Sequence, residues 1–108
     1  MINEALRLVR LAHGYKSKEV AEKIGVSASY LSEIESGKKT PTLDLLQKYS
    51  DVFGIRLSTL MFFAEELNRE IPKEKIKDNV RKYIFKLMKL IEKQKDVVVD
   101  EEDSGKTS

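Results

Sequence analysis

Side chains able to make and break covalent bonds are scarce in this chain. It holds no cysteine, and its single histidine, His13, has no serine or carboxylate placed to work with it. The densest carboxylates, Glu65-Glu66 and Asp100 to Asp103, are sequence neighbours, a solvated arrangement rather than an acid–base pair. No His/Asp/Glu set has metal-ligand spacing. An enzyme is therefore not expected, and neither is a metal or another cofactor. What remains is recognition by hydrogen bonds and charge, and it concentrates between Ser17 and Leu43. There Val20-Ala21, Gly25-Val26, Leu31 and Ile34 have the spacing of two short helices crossing steeply. Ala21 must be small because the second of these helices crosses over it. Gly25 permits the left-handed backbone that turns the chain within about three residues.

The elements that must hold this stretch are helices. Ile2, Leu6, Val9 and His13 share one helical face, so a first helix runs to about His13 and stops at Gly14. A second runs from Ser17 to Gly25, with Val20, Ala21 and Ile24 inward. Ser27 caps a third, whose core residues are Leu31 and Ile34 and whose stop is Gly37. Thr42 caps a fourth, with Leu45, Leu46, Tyr49 and Phe53 as core and Gly54 as stop. Ser58 caps a fifth, where Leu57 and Phe62 are placed to form a hydrophobic staple. After Pro72, the residues Ile76, Val80, Tyr83, Ile84, Leu87, Leu90 and Ile91 fall on about a third of a helix circumference. That predicts a long amphipathic sixth helix. Only Val97-Val98-Val99 hints at a strand.

Charge divides the chain in the same way. Residues 1–71 are balanced, 72–95 carry a net +6, and 96–108 carry a net −4. The polar, acidic composition of 96–108 predicts a disordered tail. No apolar run approaches the ~20 residues of a membrane span, and the start lacks a signal-peptide core. A cytoplasmic protein with no membrane contact is expected.

Gly14-Tyr15, the run Glu19 to Ser27, Ser29-Tyr30-Leu31-Ser32, Ile34 to Lys39 and Pro41-Thr42-Leu43 resemble the helix-turn-helix family of phage repressors, Cro proteins and xenobiotic-response-element-type regulators. The resemblance spans roughly residues 2–67. It implies an all-α, five-helix lambda-repressor-like domain over 1–71, followed by the amphipathic helix of 72–95 and the acidic tail. It further implies a transcriptional regulator, a homodimeric repressor binding double-stranded operator DNA at an inverted repeat.

Carried over by position, the base-reading residues are Ser27, Ala28, Ser29 and Glu33, at the start of the groove-inserted helix. Contacts to the DNA backbone fall to Ser17, Lys18, Tyr30, Ser32, Lys38, Lys39 and Thr40. Arg10 and Glu35 occupy the positions of a structural ion pair between helices one and three. The family carries a capping Ser or Thr where this chain has Lys16, and Gln where it has Ser17. The reading set holds no Arg or Gln, so the common bidentate base contacts are missing and DNA shape carries more of the recognition.

Helix five is the usual dimer surface of the family, which points to Met61, Phe62 and Phe63, joined by Ile84, Leu87 and Ile91 of helix six. Leu8 and Leu11 lie off the inward stripe of helix one, so helix six has apolar surface to cover on its own domain or on a twin. Lys75, Lys82, Lys86, Lys89 and Lys93 form a neighbouring arc, solvated or reaching flanking phosphates. An antitoxin- or restriction-controller-like autoregulator with a protein partner would show the same domain. So would an adaptor that binds protein instead of DNA.

Overall fold

A computed structural model describes residues 2–70, 76 and 78–107; the side chains of residues 70 and 95–107 lie outside that description. The chain is helical: α1 (Ile2–Ala12), α2 (Ser17–Ile24), α3 (Ala28–Ser36), α4 (Leu43–Phe53), α5 (Leu57–Glu70) and α6 (Val80–Thr107). No strand occurs among the described residues.

Local chemistry sets most of these boundaries. Ser27 Oγ accepts the Tyr30 amide at 3.1 Å and starts α3; Thr42 Oγ1 accepts the Leu45 amide at 3.1 Å and starts α4. Each hydroxyl satisfies one of the amides that a first helical turn leaves without an intrahelical partner. Gly25 and Gly37 close α2 and α3 with left-handed backbones, φ 76° and 88°, which a β-carbon would disfavour. Helix α5 departs from expectation. It begins at Leu57, with the Leu60 amide donating to the Arg56 carbonyl at 3.0 Å, so Ser58 lies inside the first turn. Phe62 is half exposed, whereas Leu57 packs against the core.

Helix α1 is the centre of the packing, against α3, α5 and α6, while α2 packs on α3 and α4. Leu6, Leu8, Val9, Leu31, Ile34, Leu60 and Phe63 are fully buried in one core. Helix α6 docks on this body: Ile76, Tyr83 and Leu87 join the same core, and Val80, Ile84, Leu90 and Ile91 pack against it. Its placement beside α1 accounts for the complete burial of Leu8, off the main inward stripe of that helix.

One expectation is corrected by this packing. Phe63 and Leu87, expected on a dimer surface, are 0% exposed inside the single chain and cannot reach a partner from there. Helix α6 is continuous through Thr107, and Ser108 lies outside the described residues. A helix already nucleated gains one hydrogen bond for each residue it adds, and no proline interrupts this one.

A polar clamp fixes the register of α6. Gln94, nearly buried, donates from Nε2 to the Gly54 carbonyl at 2.8 Å and accepts the Arg56 amide at 3.0 Å through Oε1. Both partners are backbone groups of the α4–α5 turn. Lys86 reaches Glu66 of α5 at 3.5 Å. Replacing Leu87 with Ala should remove about 2–5 kcal/mol from a single cooperative urea transition. Gln94→Ala, which strands two backbone groups, should remove about 1–3 kcal/mol. A separate early transition for α6, with the main one unmoved, would contradict the shared core.

Candidate nucleic-acid interface

The α2–α3 turn is built from the inside. Val20, Ala21 and Ile24 are buried on α2, and Leu31 and Ile34 on α3, which directs the opposite face of α3 outward. The Val26 amide donates to the Ala21 carbonyl at 3.0 Å and closes the turn. On the outer face Ser27, Ala28, Ser29 and Ser32 are exposed, and Tyr30 and Glu33 are half-buried. The four expected base-reading residues therefore lie together along the first two turns of α3. Ser27 divides its hydroxyl between the helix cap and Ser29 Oγ, 3.4 Å away.

Around this ridge the expected backbone contacts fall into two groups. Ser17 and Ser32 meet in a polar cleft of about 210 Å³, also lined by Arg7, Arg10, Glu35 and Ser36. The family pattern did not point to Arg7 or Ser36; the available signal was their helical spacing from Arg10 and Ser32, three and four residues away. Lys18 is exposed beside Ser17. Lys38 and Thr40 are exposed after α3. Lys39, also exposed, reaches back to α3, with Nζ 3.7 Å from Glu33 and 5.4 Å from the centre of the Tyr30 ring.

The start of α2 keeps half of a capping box. Glu19 Oε1 accepts the Lys16 amide at 2.9 Å, but a lysine side chain offers no acceptor in return. The Glu19 amide donates to the Lys16 carbonyl at 3.0 Å, and the amides of Ser17 and Lys18 belong to the helix start, a place suited to an anion.

Beneath α3 lies the ion pair expected from Arg10 and Glu35, and it is larger than a pair. Arg10 Nε meets both oxygens of Glu35 at 3.0 and 2.9 Å, its terminal nitrogen meets Oε1 at 2.9 Å, and its other terminal nitrogen donates to the Tyr15 carbonyl. Tyr49 of α4 donates its hydroxyl to Glu35 Oε2 at 2.8 Å. Burial, then the charge of Glu35 and the hydrogen bond to it, push the Tyr49 hydroxyl well above the ordinary tyrosine range, with Arg10 opposing. His13 serves structure too, with Nδ1 2.7 Å from the Val9 carbonyl and its ring against Phe53.

The lysines expected in one row on α6 have separate surroundings. Lys86 pairs with Glu66, Lys89 lies over Phe85, and Lys82 lies over Tyr83. Lys93 borders a cleft of about 250 Å³ with Arg56, Ser58, Thr59, Phe62, Leu90 and Gln94. Lys75 lies outside the described residues. Among the described residues no group of His, Asp and Glu could hold a metal, and no helix is long and apolar enough to cross a membrane.

The family model for helix-turn-helix proteins matches residues 6–60, the stretch from α1 into α5. The chain belongs to the helix-turn-helix family. The transcriptional regulator SinR of Bacillus licheniformis is 40% identical over 67 residues, 61% of this chain and 60% of its own length. The transcriptional regulator ClgR of Mycobacterium tuberculosis is 35% identical over 66 residues, 61% and 59% of the two chains. An uncharacterized helix-turn-helix-type transcriptional regulator of Archaeoglobus fulgidus is 34% identical over 61 residues, 56% of this chain and 87% of its own. The chain thus spans about three fifths of the SinR and ClgR relatives. The SinR and ClgR relatives are transcriptional regulators, not enzymes. No solved structure matches.

Within the helix-turn-helix frame, breaking the buried triad should be costly even though the intact triad adds little net stability. Arg10→Ala leaves Glu35 charged and buried and should cost about 3–5 kcal/mol in urea unfolding. Tyr49→Phe should cost about 1–3 kcal/mol at neutral pH. Because the folded state holds the Tyr49 proton more tightly, its contribution is complete below the ordinary tyrosine range and lost as pH rises through and above about 10. The stability gap between wild type and Tyr49→Phe should therefore narrow above that pH. A gap constant to pH ~11 would contradict the assigned hydrogen bond.

Proposed function

We propose that the chain is a sequence-specific transcriptional regulator of double-stranded DNA, a homodimeric repressor acting in the cytoplasm. The observation that carries this is the exposed, small and polar first turn of α3, set on a packed helix-turn-helix. Residues 1–71 form the DNA-binding part in this reading, with α6 as its packing and assembly helix.

Helix α3 enters the major groove. Ser29 donates to or accepts from a base edge, Ala28 touches a thymine methyl, and Glu33 accepts from a cytosine amine, while Ser27 holds the helix start in place. Lys18, Lys38, Thr40, Ser17 and Ser32 face phosphates, aided by the amides at the starts of α2 and α4. Repression follows by occlusion, the dimer covering an inverted repeat that polymerase needs.

With Phe63 and Leu87 occupied in the core, the dimer contact falls to exposed Met61 and Phe62 of α5, 42% and 50% accessible, with the half-buried Ile84 and Ile91 as the α6 contribution. Exposed Phe85 and Met88 on the outer side of α6 favour a second reading, an autoregulator that also holds a protein partner. A stable stoichiometric partner recovered from cells that releases the DNA would select it.

Site selection from a randomised duplex pool at near-physiological salt should enrich an inverted repeat with half-sites about one helical turn apart. On that operator Lys38→Ala should flatten the log Kd against log salt slope by about one phosphate equivalent. Weak, salt-sensitive binding without enrichment would overturn the operator-reading function.

A further inference from the structure

Glu33 is the one carboxylate in the proposed reading set, and DNA phosphates flank the groove it would enter. An uncompensated carboxylate there is repelled from both strands. The turn after α3 places a cation against it. Gly37, with φ 88°, folds the chain back so that the amides of Lys38 and Lys39 both donate to the Glu33 carbonyl, at 2.9 and 3.2 Å. The two lysines then diverge. Both lysines are exposed, but Lys39 Nζ lies 3.7 Å from Glu33 Oε1 and 5.4 Å from the Tyr30 ring centre. Tyr30 and Glu33, three residues apart, share a helical face, and their side chains hold the ammonium from two sides.

We infer that Lys39 is the built-in counter-ion of Glu33, a positioning residue that lets a carboxylate read a cytosine amine, and not a phosphate ligand like its neighbour Lys38. This rests on the proposed placement of α3 in the major groove. Lys39 touches no base. It cancels the charge of the residue that does, and the Tyr30 ring keeps it there. Specificity at the base facing Glu33 then depends on a residue outside the reading helix.

A double-mutant cycle on the selected operator tests this with the full chain: wild type, K39M, E33Q and E33Q/K39M, each first shown to melt at the wild-type temperature. K39M should weaken binding about tenfold when Glu33 is present but less than about twofold in the E33Q background, because only the carboxylate needs the counter-ion. The salt slope should stay constant in both backgrounds. Equal losses in both, with the slope reduced by about one phosphate equivalent, would make Lys39 a phosphate ligand and overturn the inference. If wild type selects no sequence, the operator-reading function itself fails and takes this inference with it. Selection by wild type with additive single effects would sink the counter-ion role alone.

Discussion

Glu35 carries a carboxylate into the interior of the domain, 5% exposed, and the surrounding helices are arranged so that it is never unpaired. Arg10 approaches from α1, Tyr49 from α4, and the Arg10 fork continues to the Tyr15 carbonyl at the entry to α2. One buried charge thus ties together the starts or faces of four helices. Such a group adds little net stability over an apolar replacement, yet it fixes geometry, because every partial misplacement leaves a charge or a donor unsatisfied. What it fixes here is the orientation of α3. With Leu31, Ile34 and Glu35 held inward, the residues left facing out are Ser27 to Ser29, Ser32 and Glu33.

The interior also determines what α6 does. Helix α1 presents apolar side chains to more than one neighbour, and α6 supplies the last of these surfaces, with Tyr83 and Leu87 in the core and Gln94 locking onto the α4–α5 turn. The clamp is specific in a way the apolar stripe is not. A slide by one helical turn would keep some burial but leave the Gly54 carbonyl and the Arg56 amide without the partner they now have. The outer side of α6 keeps Phe85 and Met88 exposed, so its two faces are chemically distinct.

Much of this was legible in the residues, where the controlling interactions are local. Ser27, Thr42, Gly25 and Gly37 act within a few residues of themselves, so caps and turns could be read directly. Arg10 and Glu35 were legible only through family resemblance, since nothing in a 25-residue separation announces a pair. Tyr49 was read as core alone; its hydroxyl finds Glu35 only once α4 is packed. Gln94 gave no signal, because its partners are backbone groups 38 and 40 residues away. Phe63 and Leu87 were misassigned for a related reason. Leu60 to Phe63 is apolar in every direction, and the inward direction is defined only after α6 is in place.

The Arg10–Glu35–Tyr49 triad orients the small polar face of α3 that we propose enters a major groove. Amide-resolved NMR of the full chain, titrated with duplex operator DNA, tests this most directly. The account predicts that the strongest shifts fall on Ser17–Lys18, Ser27 to Glu33 and Lys38 to Thr40, while the core amides of Leu31 and Tyr49 keep their protection from hydrogen exchange. Shifts centred on α6, or loss of protection around the triad on binding, would contradict it.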